Sequence, residues 1–447
     1  MRKTFLRTSL GHLVRCAALL VAATTWPAST GAAGGLVPQH SEDLRPTLTR
    51  ASKIGAATLE FDAFGRGFRL QLFSNQRLAQ LAVGSSVELY KGTLEGVPGS
   101  WTRISIQDGL TRGMIWDGRE LFIVDAAPEA VNYGKAGTVM FKLSEAVLEQ
   151  GVSFAGDAVA KPSDPAAEYG AMIGELRART QALQAGVATE GVEISILGDA
   201  ALLARYGSDT QARNAILTRL NNVDGIFSSQ VGVELQIESV NIAGDSTASL
   251  STTSDSRELL EELGQLRRQN PALSATGLTH LFTGRRLDGD TAGVAYTLAL
   301  CSPRFGASLT MAHDSVALDT LITAHEIGHV FGAPHDGVAE CASTPQNQHI
   351  MTPTLSTSVS SFSQCSLDEI SKVIDSYSCV VALPPPSPEP TPPPDPAPSP
   401  ANNGGGGGGG SLDPSVLLFL IALRAARTRH LGRFTNKRGG VQRQSMD

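Results

Sequence analysis

The sequence predicts an α/β domain with one main mixed sheet, preceded by a β-rich domain. Strand-like and helical segments alternate between residues 191 and 381, whereas strand-like segments alone fill most of 34–160. A length of 447 residues is enough for two such domains with additional tails. The formal net charge of −7, from 36 Lys+Arg against 43 Asp+Glu, argues against a nucleic-acid-binding surface.

The β-rich domain is predicted from alternating and continuous apolar patterns. Apolar and polar residues alternate in Phe68–Leu72 and in Trp101–Ile106, and Leu121–Val124 is a fully apolar run. Asp-Gly pairs at Asp108-Gly109 and Asp117-Gly118 separate these segments, as expected for turns between antiparallel strands.

In the second domain, each element is predicted from its hydrophobic period. The predicted strands are Val192–Leu197, Val231–Val240, Leu278–Phe282 and an edge strand near Gly293–Leu300. The predicted helices are Ala212–Phe227, Ser256–Gln269, Ala317–Phe331 and Leu367–Tyr377.

The pattern H-E-x-x-H-x-x-G-x-x-H at 325–335 predicts a metal site on the third helix. His325 and His329 are four residues apart, so both rings lie on one helix face and can bind one zinc ion. Glu326 can deprotonate a water there without binding the metal, and Gly332 can end the helix in a left-handed turn that returns His335 as third ligand. A bare H-E-x-x-H can arise by chance, but here the glycine and the third histidine also have the required spacing.

These residues resemble the signature of the metzincin zinc proteases. Met351 in His349–Pro353 is the candidate for their methionine turn, and Asp336 narrows the resemblance to the adamalysin (reprolysin, ADAM-like) family. Gly293, Val294, Ala295 and Tyr296 resemble that family's substrate-binding edge strand. The resemblance covers about 190–381 well and 55–125 more weakly.

The resemblance implies a monomeric, secreted zinc endopeptidase that hydrolyses protein or peptide substrates. Glu326 would be its general base, and substrate would pair antiparallel with the edge strand. The alternative is a catalytically idle surface adhesin that keeps the protease fold for binding. An idle relative would be expected to lack Glu326 or one of the histidines, and this chain has them all.

Residues 34–160 resemble the propeptide of the same family, and the enzyme is therefore expected to be made as a precursor. The alternative is an unrelated β domain that binds something else. Many of these propeptides silence the enzyme with a cysteine on the zinc, but no cysteine lies between Cys16 and Cys301. Any inhibition would have to be steric or use another ligand. Residues 161–190 are predicted to be a cleavable connector, with Arg177-Ala178-Arg179 as a candidate cut site.

Four cysteines remain once the N-terminal Cys16 is set aside, and four cysteines allow three disulfide connectivities. The family resemblance implies Cys301–Cys379 and Cys341–Cys365, with the second pair closing a loop around Met351.

The resemblance also bears on a structural calcium ion. Glu193 matches one expected ligand, but Gly277 stands where an aspartate is expected, so support for calcium is weak.

Both ends of the sequence carry patterns that resemble targeting signals. Residues 1–33 read as a signal peptide, with a basic start followed by an apolar run. The alternative is an N-terminal membrane anchor, but the apolar run is too short for one. After the protease domain, 382–410 is a Pro/Gly-rich linker. The segment 411–447, with apolar Val416–Leu423 and a basic end, resembles a bacterial glycine-glycine type sorting signal. That predicts a bacterial, secreted or cell-surface protein with transient membrane association; the alternative is a disordered tail.

Overall fold

The computed structural model describes residues 35–51, 55–82, 84–126, 137–148, 154, 156–161, 188–244, 247–357 and 359–383. These residues all belong to one compact unit. The predicted signal peptide, most of the predicted connector and the predicted sorting tail lie outside them. In the described part of the chain, no helix is both long enough and apolar enough to cross a membrane.

The N-terminal domain is built on an antiparallel sheet, as the alternating patterns predict. Nine of its strands pair in the order β2-β10-β9-β8-β7-β6-β5-β4-β3, and β1 pairs separately with β11. The strands are β1 Leu36–Pro38, β2 Glu42–Leu44, β3 Thr47–Arg50, β4 Ala56–Ala63, β5 Arg66–Ser74, β6 Glu88–Leu94, β7 Trp101–Gln107, β8 Leu110–Trp116, β9 Leu121–Ala126, β10 Thr138–Lys142 and β11 Ala146–Leu148. One short helix, α1, spans Gln76–Leu81 between β5 and β6.

The second domain contains a mixed sheet with strand order β12-β16-β17-β15-β13-β14. Pairing is parallel between β13 and β14, between β13 and β15, and between β15 and β17, whereas β16 runs antiparallel to β17. The strands are β12 Ala158–Ala160, β13 Glu190–Gly198, β14 Val233–Ile242, β15 Leu278–Thr283, β16 Gly293–Thr297, β17 Ala307–Met311 and β18 Val380–Ala382, which pairs with the start of β13.

Four of the six described α-helices of this domain lie where helices were predicted, and two short ones, Ala200–Tyr206 and Pro271–Ala275, were not predicted. The six helices are α2 Ala200–Tyr206, α3 Asp209–Ile226, α4 Ser256–Gln269, α5 Pro271–Ala275, α6 Val316–Val330 and α7 Gln364–Ser376. Helix α3 continues into a π-helical turn over Phe227–Val231, and strand β14 therefore begins at Val233, two residues later than predicted. The α/β fold class with a preceding β-rich domain is confirmed.

The two domains share one hydrophobic core. Trp101 and Met114 of the N-terminal sheet are buried in the same cluster as Leu220 and Val223 of helix α3. The opposite face of the N-terminal sheet has a separate core around Phe68 and Leu70. Because helix α3 covers one face of that sheet, β7 is buried along most of its length instead of alternating.

Buried polar contacts also join the domains. The Arg103 guanidinium donates to Asp224 Oδ2 over 2.9 Å and to Ser228 Oγ over 2.8 Å. The amide of Asn75 donates to Asn221 Oδ1 over 3.0 Å. The Arg103–Asp224 pair is almost fully buried, with side-chain exposures of 8% and 6%. Losing either partner would leave the other charge buried without its counter-ion, so this pair fixes how the domains sit together.

Candidate metal centre and active site

Helix α6 carries the metal-binding motif and is buried along its whole length. It begins after Ser315, whose hydroxyl accepts a hydrogen bond from the Leu318 amide over 3.2 Å. Asp319 in its first turn accepts from the Arg219 guanidinium of helix α3 over 2.6 Å and from His313 Nδ1 over 2.7 Å. Helix α6 is thus capped and anchored to its neighbour before the motif begins.

The end of helix α6 turns back at Gly332, which has φ +96°. The Gly332 amide donates to the His329 carbonyl over 2.9 Å, and the Ala333 amide donates to the Gly328 carbonyl over 3.0 Å. These two bonds form a Schellman motif, which requires the left-handed conformation that glycine adopts without strain. A Cβ at position 332 would also lie 2.7 Å from Val373 Cγ2 of helix α7. The turn directs the chain towards His335.

The three predicted ligands converge on one point. Nε2 of His335 lies 3.1 Å from Nε2 of His325 and 3.1 Å from Nε2 of His329. The Nδ1 atom of His325 lies 2.6 Å from the carbonyl of Ile350, and that of His329 lies 2.8 Å from the carbonyl of Ala333. A carbonyl can only accept, so each of these Nδ1 atoms carries the proton and each Nε2 presents a lone pair.

A fourth group, which the sequence analysis did not identify, completes the cluster. The Asp157 carboxylate lies 3.1 Å from Nε2 of His325 and 3.1 Å from Nε2 of His335, and 3.7 Å from Nε2 of His329. Among the described residues, these four form the one set of at least three His, Cys, Asp or Glu side chains close enough to share a metal ion.

The donor set fits a zinc ion. Both Asp157 oxygens are buried and have no hydrogen-bond partner in the described part of the chain. Acceptor atoms gathered without protons between them require a cation at their centre. Their spacing suits an ion bound at the roughly 2.0–2.1 Å typical of zinc–imidazole bonds. The three-histidine group is therefore consistent with a catalytic zinc ion.

Burial and mutual proximity shift the ionisation of this cluster. Burial lowers the pKa of His325 to about 4, which keeps the ring neutral and free to bind metal. Burial raises the pKa of the Asp157 carboxyl, but in the absence of a metal ion the facing histidine rings, when they carry a proton on Nε2, lower it by more, so the net shift is downward. The pKa of Glu326 is raised well above its usual value, first by burial and then by the negative charge of Asp157.

The Glu326 carboxylate occupies a space that only glycine leaves open. A Cβ on Gly293, the first residue of edge strand β16, would lie 2.6 Å from Glu326 Oε1. Both Glu326 oxygens are buried and have no hydrogen-bond partner in the described part of the chain. The carboxylate therefore has no hydrogen-bond partner among the described residues and lies directly against the first residue of the edge strand.

The predicted methionine turn lies against helix α6. Met351 is fully buried, and a Cβ on Gly328 would lie 2.7 Å from its sulfur. The neighbouring Ile350 carbonyl holds His325, and the Met351 carbonyl accepts from the Asp336 amide over 2.8 Å. Asp336 Oδ1 in turn accepts from the Ser363 hydroxyl over 2.8 Å. Asp336 thus links the third histidine to the methionine turn and to the start of helix α7.

Two disulfides are present, with the pairing that the family resemblance implies. Cys341–Cys365 closes the loop that contains Met351, and Cys301–Cys379 links the segment after strand β16 to the segment before β18. Such bonds indicate an oxidising compartment.

Among the strands of the protease domain, β16 lies at the edge of the sheet. Strand β12, which comes from the N-terminal part of the chain, pairs with that edge. Ala158, Val159 and Ala160 pair in parallel with Ala295, Tyr296 and Thr297. The Ala295 amide also donates to the Asp157 backbone carbonyl over 3.0 Å. Val294 is buried in the core, and the Tyr296 hydroxyl donates to Glu261 Oε2 of helix α4 over 2.8 Å. The edge strand therefore offers its backbone, rather than these side chains, to a partner strand.

Other residues considered in the sequence lie outside the metal cluster. Position 277 has no room for the aspartate of a calcium site, because a Cβ there would lie 2.5 Å from Val192 Cγ1. His280 pairs with Ser308 Oγ on strand β17, and His313 pairs with Asp319. Both histidines are fully buried and have structural partners.

A buried three-histidine centre beside a sheet edge, on this α/β fold, defines a zinc-metalloprotease domain. Residues 188–363 match the sequence model Reprolysin_5 of Metallo-peptidase family M12. This segment is a reprolysin-type metalloprotease domain.

Known proteins of the same kind are similar to this chain. "A disintegrin and metalloproteinase with thrombospondin motifs 14" from Homo sapiens is 25% identical over 391 residues, which cover 77% of this chain and 31% of that protein. "Snake venom metalloproteinase acutolysin-C" from Deinagkistrodon acutus is 26% identical over 196 residues, 41% of this chain and 44% of the relative. "Zinc metalloproteinase/disintegrin" from Bitis gabonica is 24% identical over 193 residues, 42% of this chain and 58% of the relative. The chain thus spans less than two thirds of each relative's length.

Proposed function

We propose that this chain is the precursor of a secreted zinc-dependent endopeptidase that cleaves protein substrates, with Glu326 as its general base. The observation that carries the proposal is the convergence of three Nε2 lone pairs beside a buried carboxylate and a sheet edge. Structural zinc sites usually have four protein ligands, whereas catalytic sites keep a position open for water and substrate. Three histidines with a nearby glutamate match the second arrangement.

His325, His329 and His335 would hold the zinc ion. Bound there, zinc supplies Lewis-acid polarisation of a water molecule and of the scissile carbonyl. The Ile350 and Ala333 carbonyls fix two of the rings in the ligating tautomer, which reduces reorganisation on metal binding.

Glu326 moves the proton in this reaction. In the mature site its carboxylate takes a proton from the attacking water and delivers it to the leaving amine nitrogen. The buried carboxylate has no hydrogen-bond partner among the described residues, so both of its oxygens can accept from such a water. Burial raises the pKa of Glu326, and the negative charge of Asp157 raises it further, so removal of that charge would lower it.

Strand β16 would position the substrate. A peptide that pairs with Gly293–Tyr296 gains main-chain hydrogen bonds and brings its scissile carbonyl beside Glu326. Because the bonds are made by backbone, they orient a substrate of many sequences.

Two observations support the proposed export. The disulfides need an oxidising compartment, and the N-terminal pattern is typical of a signal peptide. The proposed sorting role of 411–447 rests on sequence pattern alone.

The second candidate function is an idle adhesin, and substitution of Glu326 separates the two. The full-length chain and its Glu326→Gln variant are digested with trypsin until residues 34–160 are degraded, and casein hydrolysis and zinc content are measured. Glutamine keeps the shape but cannot accept the proton, so we expect zinc to stay bound and hydrolysis to fall below about 1% of wild type. Hydrolysis by the variant at near wild-type rate would remove Glu326 from its role, and a zinc-loaded wild type without activity would favour the adhesin.

A further inference from the structure

We propose that Asp157 is the fourth zinc ligand of the precursor and that the residues around it, Phe154 and Gly156–Ala160, keep the enzyme latent. This inference rests on the proposed function. The chain lacks a cysteine between Cys16 and Cys301, so a thiolate from the N-terminal domain cannot occupy the zinc. An aspartate takes that place, and the β-rich domain presents it.

The first argument is the position of the carboxylate. Asp157 is 1% exposed, and its oxygens lie 3.1 Å from two ligand nitrogens, with no hydrogen bond from any described residue that would explain their burial. Burying an unpaired carboxylate costs several kcal/mol. A zinc ion bound jointly by Asp157 and the histidines offsets that cost. In this position the carboxylate takes the place that the attacking water needs.

The second argument is the direction of strand β12. A substrate is expected to run antiparallel to β16, but Ala158–Ala160 run parallel to it. The segment therefore uses the backbone groups that substrate would use, including the Ala295 amide, while its own peptide bonds cross the site in the reverse direction. Reversed bonds do not present a carbonyl and a leaving nitrogen in the order that Glu326 serves, so the segment blocks the site without being cut.

The third argument is that specific side-chain and backbone contacts hold this segment in place. The Phe154 ring stacks on the His325 ring with centroids 3.9 Å apart and an interplanar angle of 11°. Gly156 has φ +86°, and the Asp157 amide donates to the Phe154 carbonyl over 3.3 Å, which makes a tight turn. The Arg257 guanidinium of helix α4 donates to the Gly156 carbonyl over 3.0 Å. Phenylalanine, glycine and aspartate each have a separate task in placing one carboxylate.

A permanent role for Asp157 is the rival explanation, in which mature enzyme keeps it as a ligand. The sequence position favours the removable role. Asp157 lies before the predicted connector 161–190, whereas the histidines and Glu326 lie after it. A cut in the connector separates Asp157 from the protease chain.

The test measures whether the fourth metal position is open in the uncut protein. The full-length Glu326→Gln protein, which does not cut itself, is loaded with Co²⁺ and titrated with azide while the visible absorption of the metal is recorded. The same titration is made with Asp157→Ala and Asp157→Asn on that background. Asp43→Ala is the matched control, because Asp43 is an exposed aspartate of the same domain.

We expect azide to leave the spectra of the parent and of Asp43→Ala unchanged. In Asp157→Ala it should bind at least about tenfold more tightly than in the parent, or about 1.4 kcal/mol. Asp157→Asn keeps the side-chain shape and should show the same tighter azide binding. It therefore provides the test if the alanine variant folds poorly.

The outcomes separate this inference from the proposed function. Equal azide binding by the parent and by both Asp157 variants would overturn the latch and leave the peptidase proposal standing. Failure of every variant to bind Co²⁺ would overturn the metal site itself. Loss of Co²⁺ from both Asp157 variants while the parent keeps it would show that Asp157 is a permanent ligand of the site and would also overturn the latch.

Discussion

At the scale of single residues, the site depends on how closely the edge strand approaches helix α6. Gly293 touches Glu326 so nearly that an added methyl group would lie within 2.6–2.8 Å of three atoms of its side chain. Real Cβ atoms do not make such contacts, so the carboxylate would have to move. The identity of residue 293 therefore controls where the proposed base stands.

We expect Gly293→Ala to lower kcat of the activated enzyme by about 10–100-fold, since a displacement near 1 Å can have that effect. Zinc content should not change, because the histidines keep their own partners. Steady-state kinetics and metal analysis check this. Gly244→Ala is the control, as its Cβ would meet nothing closer than 4.0 Å. An unchanged kcat in Gly293→Ala would contradict the close approach.

His280 makes the stability of the fold sensitive to acid. It is fully buried, and burial lowers its pKa to about 3. Its Nδ1 pairs with Ser308, and its Nε2 has no partner among the described residues. The ring is neutral in the folded protein, whereas an unfolded chain protonates it near pH 6.5.

The contribution of neutral His280 to the free energy of unfolding is therefore fully present above about pH 6.5. It is lost as the pH falls towards 3, at up to about 1.4 kcal/mol per pH unit. We expect His280→Asn, which does not titrate, to flatten the fall in urea midpoint between pH 7 and pH 4. Both proteins carry Glu326→Gln to prevent self-digestion and are measured with the same zinc. Parallel pH profiles would show that His280 does not titrate on unfolding.

At the scale of elements, the sequence predicted the helices and strands that repeat a clear period. Helix α4 begins and ends where its apolar spacing predicts, and helix α6 differs from its prediction by one residue at each end. The motif spacing alone places His325 and His329 on one face, because helix geometry fixes that relation. The convergence of His335 depends on Gly332, which the sequence also indicated.

The elements that sequence could not predict are short or depend on distant partners. Strand β12 has three residues, Ala-Val-Ala, and becomes a strand only because β16 offers its edge. Asp157 is one of many acidic residues in the sequence. Its role depends on a contact with His325, which is far away along the chain. The local signal is a phenylalanine, a glycine and an aspartate within four residues, which has no periodicity. This signal becomes informative only together with the absence of a cysteine between Cys16 and Cys301.

The contact between strand β7 and helix α3 also escaped prediction. Arg103 reads as a polar position on an alternating strand, yet its guanidinium is buried against Asp224. We expect Arg103→Ala to destabilise the full-length chain by about 3–5 kcal/mol, because Asp224 would stay buried without its partner. Arg69→Ala, which removes an exposed pair with Glu60 and Glu95, should change stability by less than about 1 kcal/mol. Urea unfolding on the Glu326→Gln background compares them, and equal effects would contradict the anchoring role of Arg103.

At the scale of the whole molecule, one cut in the connector would not by itself release the enzyme. The N-terminal domain shares a core with the protease domain and holds Asp157 in the site through contacts that need no peptide bond. The cut fragment would act as a bound inhibitor until it dissociates or is degraded.

We expect a full-length protein with an engineered cleavage site within 162–187 to stay latent after complete cutting. Its two fragments should elute together in gel filtration, and casein hydrolysis should appear only after dilution or digestion of the N-terminal fragment. The same cut in an Asp157→Ala protein should release activity sooner, because the metal no longer holds the fragment. Immediate full activity of the unsubstituted protein on cutting would show that the connector, rather than the bound domain, maintains latency.

The central claim is that a zinc ion in the precursor is shared by the protease histidines and by a carboxylate of the N-terminal domain. Crystals of the full-length Glu326→Gln protein grown with zinc, measured at the zinc absorption edge, test it directly. We predict one anomalous peak bonded to Nε2 of His325, His329 and His335 and to an oxygen of Asp157, at roughly 2.0–2.2 Å. A peak on the three histidines with water in the fourth position and Asp157 turned away would contradict the claim, as would the lack of any peak at this site.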